Sequence, residues 1–273
     1  MNSLFSVKDQ VVVITGAGGA LAGTAALHLA SEGAVTVLLG RTLPKLEAVA
    51  AEIRRAAPDA RTLPLTADVL DRGALESVRD RVLNEFGRID SLINGAGGNM
   101  PGATISPEKT FFDLDPAAFR EVLDLNLTGT VLPTLVFAEP MISAARGTII
   151  NFSSVSAVRA LTRVVGYSAA KSGVENFTRW LAVDFAKKSS GGVRVNAVMP
   201  GFFLGDQNRA LLTNPDGSLT ARGSTIVGMT PFGRFGEAVE LNGAIQYLLS
   251  PASAFVTGTV LAVDGGFTAF SGV

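Results

Sequence analysis

A chain of 273 residues can bury a large core as one domain, and no shift in composition along it marks a linker. With no cysteine it has neither a disulfide framework nor thiolate metal ligands, so a reducing cytoplasm is the expected setting and no metal site is expected. Lysine plus arginine (23) balance aspartate plus glutamate (24), and no basic run offers a surface to nucleic acid or lipid, which leaves small-molecule chemistry as the expectation.

The first element is "VVVIT" (11–15), an apolar strand, followed by the turn "GAGG" and a helix start. That arrangement points backbone N–H groups and a helix amino end at a pyrophosphate: Gly16 makes the turn, and Gly18 and Gly19 allow close approach. Taken alone, such a turn also serves simply to pack a helix on a strand. Residues 11–30 carry no acidic, lysine or arginine side chain, but glycines cluster in their middle and no basic segment precedes them, so neither a signal peptide nor a transmembrane helix is assigned. The single histidine, His28, lies in "AALHLA" and reads as a helix residue; a triad with Ser168 is conceivable, but nothing else supports it.

Further strand candidates follow at "VTVLL" (35–39), "RTLPL" (61–65), "SLING" (91–95), "GTIINF" (147–152), "VRVNAV" (193–198) and "TVLAVDG" (259–265). Most are too uniformly apolar to have a wet face. Between them, 43–57, 72–87 and 237–250 have apolar residues at helical spacing. The alternation predicts one α/β domain: a doubly wound, Rossmann-type parallel sheet of about seven strands with helices on both faces. Two segments break the rhythm, 97–116 and 200–236, both rich in glycine, proline and polar residues yet holding aromatics and methionine. Both follow strands, so they belong at the carboxyl edge of the sheet, as a substrate lid (200–236 above all) or as plain surface loops.

Within "GYSAAKSG" (166–173), Tyr167 and Lys171 lie four apart, which on a helix puts both on one face. The tyrosine is one of only two in the chain, so whether it packs or moves a proton depends on its company.

That company is a set of motifs: "TGAGGALA" (15–22), "NGAGG" (94–98), "DLNLTG" (124–129), "INFSSVSA" (150–157), "YSAAK" starting thirteen residues after Ser154, and "MPGFF" (199–203). In order and spacing, across nearly the whole chain, they resemble the short-chain dehydrogenase/reductase family. The resemblance implies a hydride exchanged between a nicotinamide cofactor and a ketone or secondary alcohol. Tyr167 would act as acid and base, Ser154 would orient the carbonyl, and Asn126 would hold a water linking Lys171 to solvent. A free tyrosine titrates near pH ~10, and an ammonium one turn away favours the phenolate, so Lys171 is expected to lower the pKa of Tyr167. Cofactor contacts are implied for Gly16, Gly18, Gly19, Ala20, Leu21, Asp68, Val69, Asn94, Gly95, Ala96, Gly97, Tyr167, Lys171, Pro200, Gly201 and Phe202. The resemblance also implies a homotetramer, with long helices at 116–141 and 166–188 in one interface.

Several positions depart from the family pattern. Ala20 and Ala22 stand where glycine is usual, a mild change at a helix start. The second strand ends in Gly40 and Arg41 rather than in an acid; Gly40 cannot repel a 2′-phosphate and Arg41 can pair with one through its planar fork, so NADP(H) is favoured over NAD(H). Arg41 could instead cap surface or stack on adenine. Gly205 replaces a family threonine five residues beyond Pro200, which transfers any carboxamide contact to the backbone near Gly201 and Phe202.

Stretches such as "FFDLDPAAF", "PGFFLGDQNRALL" and "VDGGFTAFSGV" look closer to one branch of that family, the D-mannonate oxidoreductases (fructuronate reductases), which implies a keto sugar acid. Its carboxylate and hydroxyls could be met by Arg159, Arg163, Gln207, Asn208 and Arg209, although each arginine could equally be solvated or intersubunit. A "GR" pair sits awkwardly with sugar-acid oxidation, which leaves a reductive role, or another carbonyl class such as an acyl thioester ketone or aromatic ketone. A non-enzymatic dinucleotide-binding protein is the third reading, disfavoured by the intact Ser154, Tyr167 and Lys171. The apolar tail "FTAFSGV" calls for a partner surface, on a neighbouring subunit or over the site.

Overall fold

In the computed structural model, which describes residues 4–106, 108–205 and 208–272, the strands are β1 (Val11–Thr15), β2 (Val35–Gly40), β3 (Thr62–Thr66), β4 (Ser91–Asn94), β5 (Gly147–Phe152), β6 (Val193–Pro200) and β7 (Val260–Val263). They form one sheet in the order β3-β2-β1-β4-β5-β6-β7, with every neighbouring pair parallel. Edge strand β3 carries Pro64, a residue that cannot donate to a ladder and is tolerated at an edge.

The strand alternation feeds two cores. Val12 and Ile14 point to one face, where they meet α1 (Ala20–Ser31), α2 (Leu43–Ala56) and α9 (Asn242–Leu249) through Ala26, Leu29, Ile53 and Leu248. Val11 and Val13 point to the other, where α3 (Arg72–Phe86), α5 (Gly129–Ser143) and α6 (Val165–Lys188) contribute Leu75, Phe137, Met141 and Leu181. Burial on both faces is why these strands read as continuous apolar runs. His28 belongs to this frame: its Nε2 lies 2.7 Å from Gln246 Oε1, joining α1 to α9.

Some expected elements are subdivided. The run 237–250 is a 3-10 turn, Ala238–Leu241, followed by α9. The expected helix 116–141 is α4 (Pro116–Leu123), a π-helical turn at Asp124–Thr128, and α5, which runs to Ser143 despite Pro133 and Pro140 inside it. This continuous stretch is long and apolar enough to cross a membrane by length and composition, yet half of its most apolar window is buried against the rest of the fold.

The segment 200–236 is more ordered than a loop. It contains α7 (Arg209–Leu212) and α8 (Ala221–Gly228), an antiparallel bridge between Thr213 and Leu219, and a parallel bridge between Phe203 and Gly236. Local capping explains this: Thr220 Oγ1 accepts from Gly223 N (3.1 Å) to start α8, and Asn208 ties the preceding turn to itself. The segment 97–116 makes two 3-10 turns, the second closed by a capping box between Thr110 and Asp113. Strand order reverses between β1 and β4, so both segments lie over the carboxyl ends of the strands beside that crevice.

Candidate active site

The crevice floor is made by two glycine turns locked together. Gly16 has φ +69°, and a Cβ there would lie 2.7 Å from Ala96 Cα, so only glycine permits this approach. Thr15 Oγ1 accepts from Gly95 N (3.1 Å) and Ala96 N (3.2 Å), tying the turn after β1 to the chain leaving β4. Helix α1 starts at Ala20 with Gly19 as an N-cap that offers no side-chain acceptor. The N–H groups of Ala20, Leu21 and Ala22 therefore lack partners within the helix and, with the helix dipole, suit an anion. The alanines fit: Ala22 Cβ lies 3.0 Å from where a Cβ on Gly95 would stand, so Ala22 occupies space that Gly95 leaves free. A Cβ on Gly18 would lie 3.0 Å from Lys45 Cβ, which assigns its bareness to packing on α2.

At the end of β2, a side chain on Gly40 would press on Leu46 (3.2 Å). The Arg41 side chain is 68 % exposed and reaches Asp68 only at 4.0 Å, a contact too long and too wet to hold it. Asp68 is engaged locally, accepting from Leu70 N at 2.9 Å, and Val69 is buried.

Asn94 departs from expectation. Its side chain faces the interior, where Nδ2 donates to Thr134 Oγ1 (3.0 Å) and Asn151 Oδ1 (2.9 Å) and Oδ1 has no partner. The side chain therefore binds β4 to α5 and β5, and is not available to a cofactor. Gly97 stands at the point where the two ends of the site meet: a Cβ there would lie 2.6 Å from Asn126 Oδ1 and 3.4 Å from Lys171 Nζ.

The chemical end is set by α6 and the end of β5. Lys171 is buried and its Nζ donates to Phe152 O at 2.7 Å. Burial pushes its ammonium down to about 8. The same Nζ lies 5.5 Å from the centroid of the Tyr167 ring. Burial raises the Tyr167 phenol above its ordinary value, and the Ser154 hydroxyl opposes that rise. The expected lowering by Lys171 is thus not what this arrangement produces: desolvation dominates both groups, and the ammonium is held by a carbonyl. The Tyr167 ring also packs against Ala103, Ala118 and Val122, beside Met100 from segment 97–116.

The two neighbouring serines separate cleanly. Ser153 Oγ donates to the buried Glu175 Oε1 at 2.7 Å, whereas Ser154 Oγ accepts from Ser156 N (3.2 Å), which leaves its own proton free to donate toward the phenol side. Asn126 lies in the π turn, fully buried, with Nδ2 donating to Gly98 O (2.7 Å) and Val122 O (2.8 Å) and Oδ1 accepting from Gly98 N (3.0 Å). With its amide engaged, any water it holds would sit on its main-chain carbonyl, where Thr130 Oγ1 already donates at 2.9 Å.

The segment after β6 reaches over the cradle. Gly201 N donates to Val263 O (2.9 Å), and Phe202 meets Phe267 edge to face at 5.2 Å. A Cβ on Gly205 would lie 3.7 Å from Ala20 Cβ, which brings this segment against the start of α1.

Of the residues expected to meet substrate, Asn208 is turned inward, accepting from Gly205 N and donating to Phe203 O. Arg159 donates to Thr268 O, which ties the carboxyl-terminal tail to the loop between Ser154 and Tyr167. Arg209 is exposed on α7, Arg163 is half-buried, and Gln207 lies outside the described residues. Sequence reasoning missed the bracing roles of Thr15 and Glu175 and the position of Arg222, which donates to Thr162 Oγ1 at 3.2 Å. Thr15 opens the first glycine motif and could have been found there; the other two have partners too far along the sequence for spacing to reveal.

A family profile with the description "short chain dehydrogenase" matches residues 10–215. An oxidoreductase of Bacillus subtilis (strain 168), "Uncharacterized oxidoreductase UxuB", is 44% identical over 277 residues, covering 98% of each sequence. A crystal structure of a "putative D-Mannonate oxidoreductase" from Haemophilus influenza with bound NAD is 42% identical, covers 98% of each sequence and superposes with a TM-score of 0.92. A gluconate 5-dehydrogenase from Burkholderia cenocepacia J2315 in complex with NADP and tartrate is 30% identical, with 97% of this protein and 98% of that one covered, and has a TM-score of 0.85.

Thr15→Val keeps the shape of the side chain and removes the acceptor shared by two backbone N–H groups. It is expected to destabilise the fold by about 1–3 kcal/mol, read as a lower urea midpoint; an unchanged midpoint would remove Thr15 from this role.

Proposed function

The chain belongs to the short-chain dehydrogenase/reductase family, and on that premise we propose that it reduces the ketone of a sugar acid of the D-fructuronate type, with NADP(H) favoured over NAD(H). The observation that carries the chemistry is the juxtaposition of Ser154, Tyr167 and Lys171 at the carboxyl end of β5. The glycine cradle fits a dinucleotide, because at Gly16 and Gly97 a Cβ would collide with the opposite turn or with Asn126, and the first turn of α1 offers unpartnered N–H groups. When bound, a nicotinamide cofactor supplies or accepts the hydride.

Everything else falls to the protein. Backbone at Gly16, Gly19, Ala20 and Leu21 receives the pyrophosphate, and Gly95, Ala96 and Gly97 line the approach toward Lys171. Asp68 and Val69 border the adenine, and Pro200, Gly201 and Phe202 cover the nicotinamide end with backbone in place of a threonine at Gly205. Ser154 donates to the substrate oxygen, and Tyr167 delivers its proton as negative charge builds there. The raised phenol pKa keeps that proton in place at neutral pH, which suits the reductive direction. Lys171 contributes its positive charge beside the phenol, and the Asn126 carbonyl holds the water through which the proton is replaced.

The cofactor preference rests on Gly40 and on the free, exposed Arg41. The substrate class is supported by the likeness to a protein described as a D-mannonate oxidoreductase, and segment 200–236 acts as the lid. Reduction of an acyl thioester or aromatic ketone is the alternative, and the same cradle would serve it. The protein assembles as a homotetramer in this reading, supported by the exposed apolar Leu135, Trp180 and Val183 on α5 and α6.

The decisive experiment measures initial rates of NADPH and NADH oxidation with D-fructuronate and a panel of other ketones. Turnover is expected with fructuronate, faster with NADPH, with the NADPH preference shrinking in Arg41→Ala and the rate falling about 10²- to 10⁴-fold in Tyr167→Phe. Activity confined to another ketone would discard the sugar-acid class, and full activity of Tyr167→Phe would discard the mechanism. The pH profile follows from Lys171, which is charged below about 8 and loses its proton above it. Reductive kcat/KM is therefore expected to be level at neutral pH and to fall above about 8; a profile level to pH ~10 would show that the Lys171 charge is not used. Light scattering on a gel-filtration column should return four chains, and a monomer would refute the assembly.

A further inference from the structure

The loop joining Ser154 to Tyr167 holds a charge arrangement that the chemistry above leaves unused. Arg163 adopts φ +79°, a left-handed conformation rarely held by an arginine. Its carbonyl accepts from Ile105 N at 2.9 Å, which joins it to segment 97–116. On the other side, Arg222, in the first turn of α8, donates from Nη1 to Thr162 Oγ1 at 3.2 Å. Two segments at the carboxyl edge of the sheet therefore converge on residues 162 and 163, in the turn directly before the helix that presents Tyr167.

Arg163 and Arg222 are both half-buried residues, and the Arg222 guanidinium is pushed below its ordinary range, first by burial and then by the charge of Arg163. Among the described residues, neither forms an ion pair. Glu108 is close enough to feel Arg163, but it is exposed and outside ion-pair distance. Arg159 is already bonded to the tail at Thr268 O, and Arg209 stands exposed on α7. Arg222 is bonded to Thr162, the residue next to Arg163, so two half-buried cations meet at one turn; an anion there offsets their repulsion and offers oxygen acceptors to two planar forks.

We propose that Arg163 and Arg222 together form the carboxylate-binding subsite of this enzyme, selecting keto acids over neutral ketones. This deepens the sugar-acid reading above and rests on it. It also shifts the substrate contacts expected from the sequence away from Arg159 and Asn208 and adds Arg222, a lid residue whose partner, Thr162, lies 60 residues away in the sequence.

The test compares kcat/KM for D-fructuronate with that for D-fructose, its analogue with CH2OH in place of the carboxylate, in the parent enzyme and in Arg222→Met and Arg163→Asn; asparagine is chosen because it tolerates positive φ. Inhibition by D-gluconate, a hexonate with no ketone, is measured in parallel against whichever ketone is turned over. The expected result is an acid-to-neutral ratio lowered about 10- to 100-fold in each variant, with D-gluconate inhibition weakened by a similar factor. A ratio unchanged in both variants, or D-gluconate inhibition equal to that of the parent, overturns the subsite. If the parent turns over fructuronate with its usual selectivity while the variants keep the same ratio, only the subsite has failed. If the parent shows neither acid preference nor D-gluconate inhibition, the sugar-acid reading has failed with it.

Discussion

Parallel pairing of β1 with β4 carries the register Val12↔Ser91 through Thr15↔Asn94, so the two strands end side by side. Because the backbone then leaves toward opposite faces, the two turns would diverge if nothing held them. Thr15 Oγ1, accepting from both Gly95 N and Ala96 N, closes that gap. The closure is what makes Gly16 obligatory, brings Gly97 against Asn126, and so places the glycine turns and the Lys171 ammonium in one crevice.

Within that crevice, burial is the stronger electrostatic force. Lys171 and Tyr167 share a helix face, and in water their mutual effect would lead to an easier phenolate. In the folded protein, desolvation lowers the lysine and raises the tyrosine, and the lysine settles on Phe152 O. Of the two, Lys171, pushed down to about 8, is the group whose charge changes just above neutral pH, while the raised phenol keeps its proton there. Glu175 supports this arrangement indirectly: by holding Ser153, it fixes the strand end that supplies both the Phe152 carbonyl and Ser154.

The sheet was legible because its strands are buried on both sides. An element such as 147–152 needs no partner information to be recognised, and the structural limits there agree with the apolar run. Positions where helices break were not legible. The π turn at Asp124–Thr128 depends on the Asn126 amide reaching Gly98, a partner 28 residues away. Side-chain direction at motif positions was equally hidden: Asn94 belongs to a motif expected to meet a cofactor, yet its amide serves Thr134 and Asn151. Spacing identifies which residue stands at a position, and only three-dimensional neighbours decide which way it points. The order within 200–236 was hidden because caps such as Thr220 stabilise helices too short for periodicity to register.

Chemistry and selectivity consequently reside in parts of different rigidity. Tyr167 and Lys171 stand on a 24-residue helix packed on the sheet, and Ser154 closely follows a fully buried strand. Segment 200–236 is attached differently, by a few polar or aromatic contacts: Phe202 on Phe267, Gly205 near Ala20, and Arg222 on Thr162. Such contacts are lost and regained at little cost to the core, so segments 97–116 and 200–236 can change residue by residue while the crevice beneath them keeps its geometry. A fold arranged this way lets the segments over the crevice vary while the sheet and its packed helices stay unchanged. The place to look for that variation is where segment 200–236 and the loop before Tyr167 touch, at Arg222 and Thr162.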